Sequence, residues 1–283
     1  MDGELDRFQA WVGRKQTRTD TATVFQPRAL VATLDTGDPD PNDGDPLPPA
    51  WHWMYFVDLA PLSKVGPDGH AERGEFMPPV PLPRRMWAGS RFTFDTPLSI
   101  GDRITRVSEI AAVQPKSGAT GRMVFVTVRH TVSGASGGHF VEEQDIVYRE
   151  AAKPGEKGPQ VKAAPTDATW TKPVKADPVM LFRYSALTFN GHRIHYDYPY
   201  VTAVEGYGGL IVHGPLMGTM MIELARRSEP ARQLKTYEFR AVSPVFHTMP
   251  FSVNARREAD GSLTTWIAND TCGLAQQGKV TFA

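Results

Sequence analysis

The sequence predicts an α+β fold built from two similar modules, in which two antiparallel sheets each wrap a helix. One observation is a long apolar helix pattern followed by four strand patterns near the end of the chain. Another is a run of strand patterns before residue 150, and the helix pattern that precedes these strands is degenerate. The third is the stretch 151–176, rich in Lys, Pro, Ala and Gly, which predicts a linker. We therefore expect an N-terminal half at 1–150 and a C-terminal half at 177–283.

The first half begins with weak helix signals and ends with clear strands. Residues 5–12 have the apolar spacing of a short helix, and 21–34 fit either a helix or an irregular stretch. Residues 51–56 are so rich in aromatic side chains that they predict core. From Trp87 onward the sequence predicts an antiparallel meander, since residues 123–133 alternate and Gly/Ser turns separate the runs.

Residues 57–85 are interrupted so often by Pro and Gly that they predict a long irregular crossing. Loops of that length are uncommon in compact domains unless they have a function. Covering a pocket would be such a function, so we expect this crossing to lie over a site.

The second half contains the clearest helix of the chain, between residues 209 and 227. Its apolar residues recur every three or four positions, Pro215 suits a first turn, and Arg226 and Arg227 suit a helix C-terminus. Met217, Met220 and Met221 are predicted to pack in the core, with an acyl pocket as the alternative. Strands are predicted at 235–243, 251–257, 263–269 and 276–282, and residues 259–262 have the composition of a hairpin turn.

Charge and composition exclude several classes of partner. Lys plus Arg equals Asp plus Glu at 31 each, so no net positive field favours nucleic acid. No stretch approaches the roughly 20 apolar residues that span a bilayer. The acidic N-terminus resembles neither a secretory signal nor a transit peptide, which predicts a cytoplasmic protein. The single cysteine, Cys272, excludes a disulfide framework and is expected to pack as a small residue in a strand.

Candidate chemistry is concentrated between residues 190 and 214, where three of the eight histidines lie. His195 and His192 stand close together in a turn-like stretch, and His213 precedes Gly214 at the start of the predicted helix. Histidine titrates near neutral pH and can serve as a general base. Glycine at a helix start lets a substrate approach free backbone N–H groups.

Residues 188–197 and 209–216 resemble the MaoC-like (R-specific) hydratase/dehydratase family, and 85–90 and 142–149 resemble its N-terminal half-module. The most similar branch comprises two-module 3-hydroxyacyl-thioester dehydratases and mesaconyl-CoA (methylfumaryl-CoA) hydratases. The resemblance implies a double hot-dog fold and reversible addition of water to an enoyl-CoA thioester. Mesaconyl-CoA, giving citramalyl-CoA, is the first substrate it suggests, and a straight-chain (R)-3-hydroxyacyl thioester is the alternative. It implies no cofactor, since CoA is part of the substrate.

The family uses a catalytic Asp five residues before a catalytic His, with an Asn two residues after the Asp. His195 matches the His, whereas Asn190 stands at the Asp position and His192 at the Asn position. A neutral amide cannot take a proton as a carboxylate does. We therefore expect His195 to be the base and Asn190 to hold the water. His192, Asp197 or His195 itself remain candidates for the second proton transfer.

The remaining site residues are expected to bind the substrate. Backbone N–H groups at His213 and Gly214 would face the thioester oxygen at the positive end of the helix dipole. Arg193, or an Arg of the first half, would meet a free carboxylate of the substrate, and a surface ion pair is the alternative role for Arg193.

Other classes stay open at this point. His192, His195 and His213 would give three nitrogen ligands to zinc, but no HExxH pattern is present and we expect no metal. Hot-dog folds also serve as thioesterases, and Asn190 leaves room for a non-catalytic acyl-CoA binding module. The first half, with no Asn/Asp-x4-His motif, is expected to be non-catalytic and to leave a wider acyl cavity. A homodimer of double hot-dog chains is the expected assembly.

Overall fold

In the computed structural model, which describes residues 7–73, 75–118, 121–150 and 161–283, ten antiparallel strands form one continuous sheet. The strands of the first half are β1 (Lys15–Thr21), β2 (Arg84–Thr96), β3 (Arg103–Gly118), β4 (Gly121–Gly134) and β5 (His139–Arg149). Those of the second half are β6 (Trp170–Val174), β7 (Leu234–Ala241), β8 (Phe251–Arg257), β9 (Leu263–Asn269) and β10 (Leu274–Phe282).

Both halves have the same strand order, which confirms the predicted repeat. Read from its outer edge to the centre of the molecule, the first half is ordered β1-β3-β4-β5-β2 and the second half β6-β8-β9-β10-β7. Each therefore places its first strand at the outside and its second strand at the centre of the molecule. The central strands β2 and β7 pair from Gly89↔Arg240 to Thr93↔Thr236. The two expected sheets are thus joined into one, because pairing satisfies backbone groups that an open edge would expose.

Four α-helices are present in the described ranges: α1 (Phe25–Leu34), α2 (Pro178–Leu187), α3 (Tyr198–Ala203) and α4 (Gly214–Ser228). Short 3-10 helices lie at Arg7–Trp11, Trp51–Met54, Leu62–Lys64 and Arg193–His195. Within the weak pattern at 5–12, residues 7–11 form a 3-10 turn, and residues 5 and 6 lie outside the described chain. None of these helices is both long enough and apolar enough to cross a membrane.

Helix α4 is the central helix of the second half, as predicted. Pro215 lies in its first turn and Arg226 and Arg227 in its last. Met217 and Met221 are buried against the sheet, in the same core as Tyr237 of β7. The helix packs against strands β8, β9 and β10, so its N-terminus is held at a fixed place on the molecule.

The described residues between α1 and β2 contain no long helix, which confirms that the central helix of the first half is degenerate. The 3-10 turn Trp51–Met54 is found there, and Trp51, Tyr55 and Phe56 are buried in the core. Beside them Glu142 is fully buried and accepts hydrogen bonds from His52, Trp53 and Ser90. Aromatic side chains and this polar network occupy the space between the strands.

The structure corrects the predicted linker. Residues 151–160 lie outside the described chain, but β6 falls within the range 151–176 and pairs with β8. Ala163 also forms a bridge with Gly273, so the second half begins well before residue 177. Pro173 is tolerated in β6 because an edge strand has one unpaired side. The Pro-rich composition concealed a strand for that reason.

Cys272 lies in the turn between β9 and β10 and is exposed, so the expectation that it packs in a strand was wrong. Its φ of 59° belongs to the left-handed region. Asn269 Oδ1 accepts hydrogen bonds from the N–H groups of Thr271 and Gly273, which closes the turn around the cysteine.

Candidate functional site

The chain after α2 turns back so that the histidine stretch lies against the start of α4. Asp177 caps α2, because its side chain accepts a hydrogen bond from Met180 N, and Phe189 ends the helix region with a φ of 50°. Asn190 N then donates to Ser185 O at 2.8 Å. The next turn, Arg193–His195, is tied to the entry of α4 by the 3.0 Å hydrogen bond from Ile211 N to Ile194 O.

His195 is buried and its protonation is fixed by one hydrogen bond. Its Nδ1 lies 2.8 Å from the carbonyl oxygen of Ile211. A carbonyl can only accept, so Nδ1 carries the proton and Nε2 keeps a free lone pair. Burial lowers the pKa of His195 to about 4, although the hydrogen bond to Ile211 opposes the shift. His195 is therefore neutral at pH 7 and can accept a proton at Nε2.

His213 stacks on His195, with ring centroids 3.7 Å apart and planes inclined by 18°. It is completely buried, and its Nε2 shares a hydrogen bond of 2.8 Å with Ser185 Oγ. Its Nδ1 has no hydrogen-bond partner among the described residues. Burial, with a smaller contribution from His195, holds the pKa of His213 well below its usual value. The pair therefore consists of two neutral imidazoles.

Gly214 is the first residue of α4, directly after His213. N–H groups in a first helical turn have no intrahelical acceptor, and the helix dipole is positive at this end. No described residue accepts a hydrogen bond from Gly214 N. Gln276 Nε2 donates to Gly214 O at 3.1 Å and fixes the orientation of this peptide. The N–H of Gly214 can thus receive an oxygen that gains negative charge.

His192 lies on the other side of His195, with its ring centroid 5.5 Å away. Burial and the neighbouring His70 lower the pKa of His192 to about 2, so it too is neutral. Asn190 Oδ1 accepts a hydrogen bond of 3.0 Å from His192 N. The carbonyl oxygen of Asn190 therefore shapes the turn, and its NH2 group remains for a contact with water or substrate.

Arg193 and Asp197 are bound to each other and to neighbouring structure. Arg193 Nε and Nη2 donate to Asp197 Oδ2 at 2.9 and 2.7 Å, and Nη1 donates to Pro67 O at 2.9 Å. Asp197 also caps α3 by accepting from Tyr200 N. Hydrogen bonds from Tyr200 N and then Arg193 lower the pKa of Asp197, so it stays ionised. The geometry favours the ion-pair alternative for Arg193, and Asp197 is occupied as an N-cap.

Two site residues, Asp68 and His70, were missed by the sequence reasoning and come from the first half. Asp68 Oδ2 accepts a hydrogen bond of 2.9 Å from His70 Nδ1, and Oδ1 accepts one of 3.0 Å from His70 N. The ring of His70 lies 4.1 Å from that of His192. Burial raises the pKa of Asp68, but the hydrogen bonds from His70 outweigh it and the pKa is lowered. Burial chiefly lowers the pKa of His70.

Of the predicted crossing 57–85, residues 67–69 contact the histidine stretch, as expected for a covering loop, and residues 84 and 85 begin β2. Arg193 N donates to Asp68 O at 2.9 Å. Gly69 has a φ of +89°, and a Cβ there would stand 1.8 Å from the carbonyl oxygen of Gly191. The two backbones touch because neither residue has a side chain. The signal available in the sequence was Asp-Gly-His in a Gly/Pro-rich turn, but nothing local shows that it reaches the second half.

Arg85, at the second position of β2, lies close enough to His70 and His192 that its charge helps to lower the pKa of both. Its neighbour Arg84 has an ion pair with Glu205 at 3.6 Å. Among the described carboxylates, none forms an ion pair with Arg85. The half-buried guanidinium of Arg85 is therefore a cation without an anionic partner beside the histidines.

Within the described chain, one group of side chains has donor atoms close enough together to be considered for a metal: Asp68, His70 and His192, within 4.8 Å of one another. It is not the histidine set considered from the sequence. His195 Nδ1 and His213 Nε2 of that set already bond to Ile211 and Ser185. In the Asp68 group, the 2.9 Å contact between His70 Nδ1 and Asp68 Oδ2 is a hydrogen bond.

Two surface cavities lie elsewhere on the molecule. One of about 180 Å³ is lined by Leu47, His52 and Arg226, and one of about 250 Å³ by Met180 and Leu224, among others. Arg226 is twelve residues along α4 from Gly214, roughly 18 Å at 1.5 Å per residue. None of the candidate site residues lines either cavity.

The fold and the site together define a double hot-dog protein, with a histidine cluster at the N-terminus of its second-half helix. A family model described as hydroxyacyl-thioester dehydratase type 2 matches residues 50–247. The chain belongs to this family.

Two curated proteins are similar to most of the chain. Mesaconyl-C(4)-CoA hydratase of Chloroflexus aurantiacus is 44% identical over 253 residues, which are 89% of this chain and 90% of that protein. The mitochondrial hydroxyacyl-thioester dehydratase type 2 of Schizosaccharomyces pombe is 29% identical over 237 residues, 73% of this chain and 77% of that protein.

Solved structures confirm the fold. A MaoC-like dehydratase superposes with a TM-score of 0.66 at 13% identity, covering 98% of this chain and 100% of that one. A conserved hypothetical protein of Mycobacterium tuberculosis with a double hotdog fold has a TM-score of 0.58 at 14% identity and covers 96% of both chains.

Proposed function

We propose that the chain is a hydro-lyase that adds water reversibly across the C=C bond of an enoyl-CoA thioester. Its first substrate is mesaconyl-CoA, which gives citramalyl-CoA. The hydrogen bond from His195 Nδ1 to Ile211 O carries the proposal, because it leaves Nε2 unprotonated beside the start of α4. The 44% identity to a mesaconyl-C(4)-CoA hydratase supports the substrate.

The chemistry follows from the positions of three groups. His195 Nε2 takes a proton from water while the water oxygen forms a bond to Cβ. The electron pair of the double bond moves toward the thioester, whose oxygen gains negative charge. The N–H of Gly214 and the dipole of α4 stabilise that oxygen. The amide of Asn190 holds the water for attack, and Cα receives a proton to complete the addition.

Arg85 supports a substrate with a free carboxylate. Mesaconyl-CoA carries one carboxylate besides its thioester, and a carboxylate away from bulk water needs a cationic partner. Arg193 is bound to Asp197 and Pro67, whereas Arg85 has no anionic partner among the described residues. We assign Arg85 to the role that the sequence left open between Arg193 and an arginine of the first half.

A straight-chain (R)-3-hydroxyacyl-thioester dehydratase is the second candidate. The family and the Schizosaccharomyces pombe relative support it. The same His195 and Gly214 serve both reactions, but a straight acyl chain brings no anion to Arg85. We place the branched dicarboxylic thioester first for this reason.

The test is an ultraviolet assay of enoyl absorbance with mesaconyl-C4-CoA, crotonyl-CoA and a longer enoyl-CoA. We expect absorbance to fall with the first substrate at the highest kcat/KM. Faster turnover of the longer enoyl-CoA would support the second candidate. Free CoA, detected with a thiol reagent, would mean a thioesterase, and binding without turnover would mean a binding module. Either of the last two results contradicts the proposal.

The assembly, cofactor and location complete the proposal. We expect a homodimer of double hot-dog chains, which light scattering coupled to size-exclusion chromatography measures directly. We expect activity with no added cofactor and retain the cytoplasmic location predicted from the sequence. Full activity after exhaustive chelation, with metal analysis of the same sample, tests the cofactor statement.

A further inference from the structure

Four of the eight histidines form a row across the two halves of the molecule. The ring centroids of His70 and His192 are 4.1 Å apart, those of His192 and His195 5.5 Å, and those of His195 and His213 3.7 Å. Burial lowers the pKa of each one. A proton that enters this row during a reaction therefore needs a place where its charge is stabilised.

Only His70, at the end of this row, has a carboxylate partner. His195 bonds to the neutral carbonyl of Ile211, and His213 bonds to the neutral hydroxyl of Ser185. Asp68 accepts a hydrogen bond from His70 Nδ1, so its negative charge lies against the imidazole. An opposite charge at that distance favours the protonated ring. Within the row, an extra proton is most stable on His70.

The orientation of His70 suits proton transfer. Because Nδ1 donates to Asp68, the neutral ring keeps its lone pair on Nε2. A carboxylate that fixes the tautomer and stabilises the imidazolium is the arrangement found behind many catalytic histidines. The contact between Gly69 and Gly191, with the hydrogen bond from Arg193 N to Asp68 O, fixes this pair on the histidine stretch.

We propose that His70, held by Asp68, is the second acid–base group of the site and exchanges the proton of Cα. This inference rests on the proposed function. In hydration, the O–Cβ bond forms as His195 Nε2 takes a proton from water, and this proton passes through His192 or solvent to Nε2 of His70. The imidazolium of His70 then gives the proton to the enolate as the Cα–H bond forms, which leaves both histidines neutral again. In dehydration every transfer runs in reverse.

This assignment explains how the site functions with Asn190 in place of an aspartate. The carboxylate that the motif lacks in sequence is present in space as Asp68, contributed by the other half. The first half, which the sequence predicted to be non-catalytic, then completes the acid–base machinery.

The experiment compares four variants with the wild type on the thioester that the wild type turns over fastest. His70→Ala removes the ring. His70→Asn keeps a donor for Asp68 but cannot carry a proton. Asp68→Asn removes the charge and keeps an oxygen acceptor. His139→Asn is the matched control, because His139 Nδ1 bonds to Asp95 at 2.7 Å on the surface.

We expect kcat to fall at least 100-fold in both His70 variants, with KM within about threefold of the wild type. In Asp68→Asn kcat should fall about 10-fold, and His139→Asn should keep wild-type activity. Free imidazole should restore kcat of His70→Ala but not of His70→Asn, whose side chain fills the space. In D2O, exchange of the Cα proton of the hydrated product should slow in parallel with kcat.

Several outcomes would overturn the inference. Wild-type kcat in His70→Asn would show that no proton passes through this residue. A low kcat that imidazole does not restore, in a His70→Ala protein with wild-type circular dichroism, would make His70 structural. Loss of wild-type activity on chelation, restored by zinc, would show that Asp68, His70 and His192 bind a metal. If the wild type turns over no enoyl thioester, the proposed function fails as well.

Discussion

His195 and His213 stack face to face, 3.7 Å apart at their centroids, and both side chains are buried. Two imidazolium rings at this distance would repel each other strongly. At most one of the two rings can therefore become an imidazolium, and at neutral pH both are neutral. The stack keeps His195 in the basic form that the proposed chemistry needs.

His195→Gln should abolish catalysis while leaving the fold intact. The amide can still donate to Ile211 O but cannot take a proton, so kcat should fall by about 10² to 10⁴-fold. KM should change little, since the change removes a proton acceptor and leaves the binding groups in place. Turnover at the wild-type rate in this variant, with His139→Gln as the surface control, would exclude His195 as the base.

Acid should destabilise the protein before its carboxylates titrate. His195 has a pKa of about 4 when folded and about 6.5 when unfolded, so between these values the unfolded chain binds the extra proton. The contribution of neutral His195 to the free energy of unfolding is therefore fully present above pH 6.5. It is lost as pH falls toward 4, and the loss is about 3 kcal/mol. Urea unfolding at pH 7 and pH 5 measures the effect. His195→Gln should show a smaller loss of stability over the same interval, and an equal loss would assign it to other groups.

The sequence was sufficient for features set by local pattern and insufficient for those set by contact between the halves. The apolar face of α4 and the aromatic content around Trp51 correctly identified core residues, and both sets belong to one hydrophobic cluster. Strand β6 was missed because Pro173 and its neighbours have a linker composition, and only pairing with β8 makes them a strand. His70 was missed because its partner His192 is more than one hundred residues away. Its position depends on two glycines whose contact no local pattern reveals.

Gly69→Ala should separate the covering loop from the histidine stretch. Its new Cβ would stand 1.8 Å from Gly191 O, so one backbone must move. We expect a loss of about 2 kcal/mol or more in stability and a large fall in kcat. Gly44→Ala is the control, because Gly44 has a φ of +90° but a Cβ added there would meet no atom within 4 Å. The stability of that variant should fall only by the cost of the left-handed backbone conformation, about 1 to 2 kcal/mol, and its activity should be kept. Equal effects in both variants would contradict the contact.

Arg85→Gln should act on one class of substrate. The loss of the cation should raise KM for mesaconyl-C4-CoA by about 10 to 100-fold, roughly 1.4 to 2.7 kcal/mol, and leave crotonyl-CoA unaffected. Arg84→Gln is the neighbouring control, since Arg84 pairs with Glu205 and should change both substrates little. A similar rise in KM for both thioesters in Arg85→Gln would show that Arg85 does not receive the substrate carboxylate.

Asn190→Asp separates the positioning of water from a requirement for a neutral group. Asp keeps an oxygen that accepts the hydrogen bond from His192 N, so the turn should fold unchanged. The new charge should raise the pKa of His192 and His195, because an opposite charge nearby favours their protonated forms. If the amide only positions water, kcat at pH 8 should stay within about 10-fold of the wild type, while the acid limb of the pH profile moves upward. Complete inactivation at every pH, in a protein that unfolds at the wild-type urea concentration, would mean that the neutral amide is required. Such a result would fit a site in which Asp68 already supplies the carboxylate.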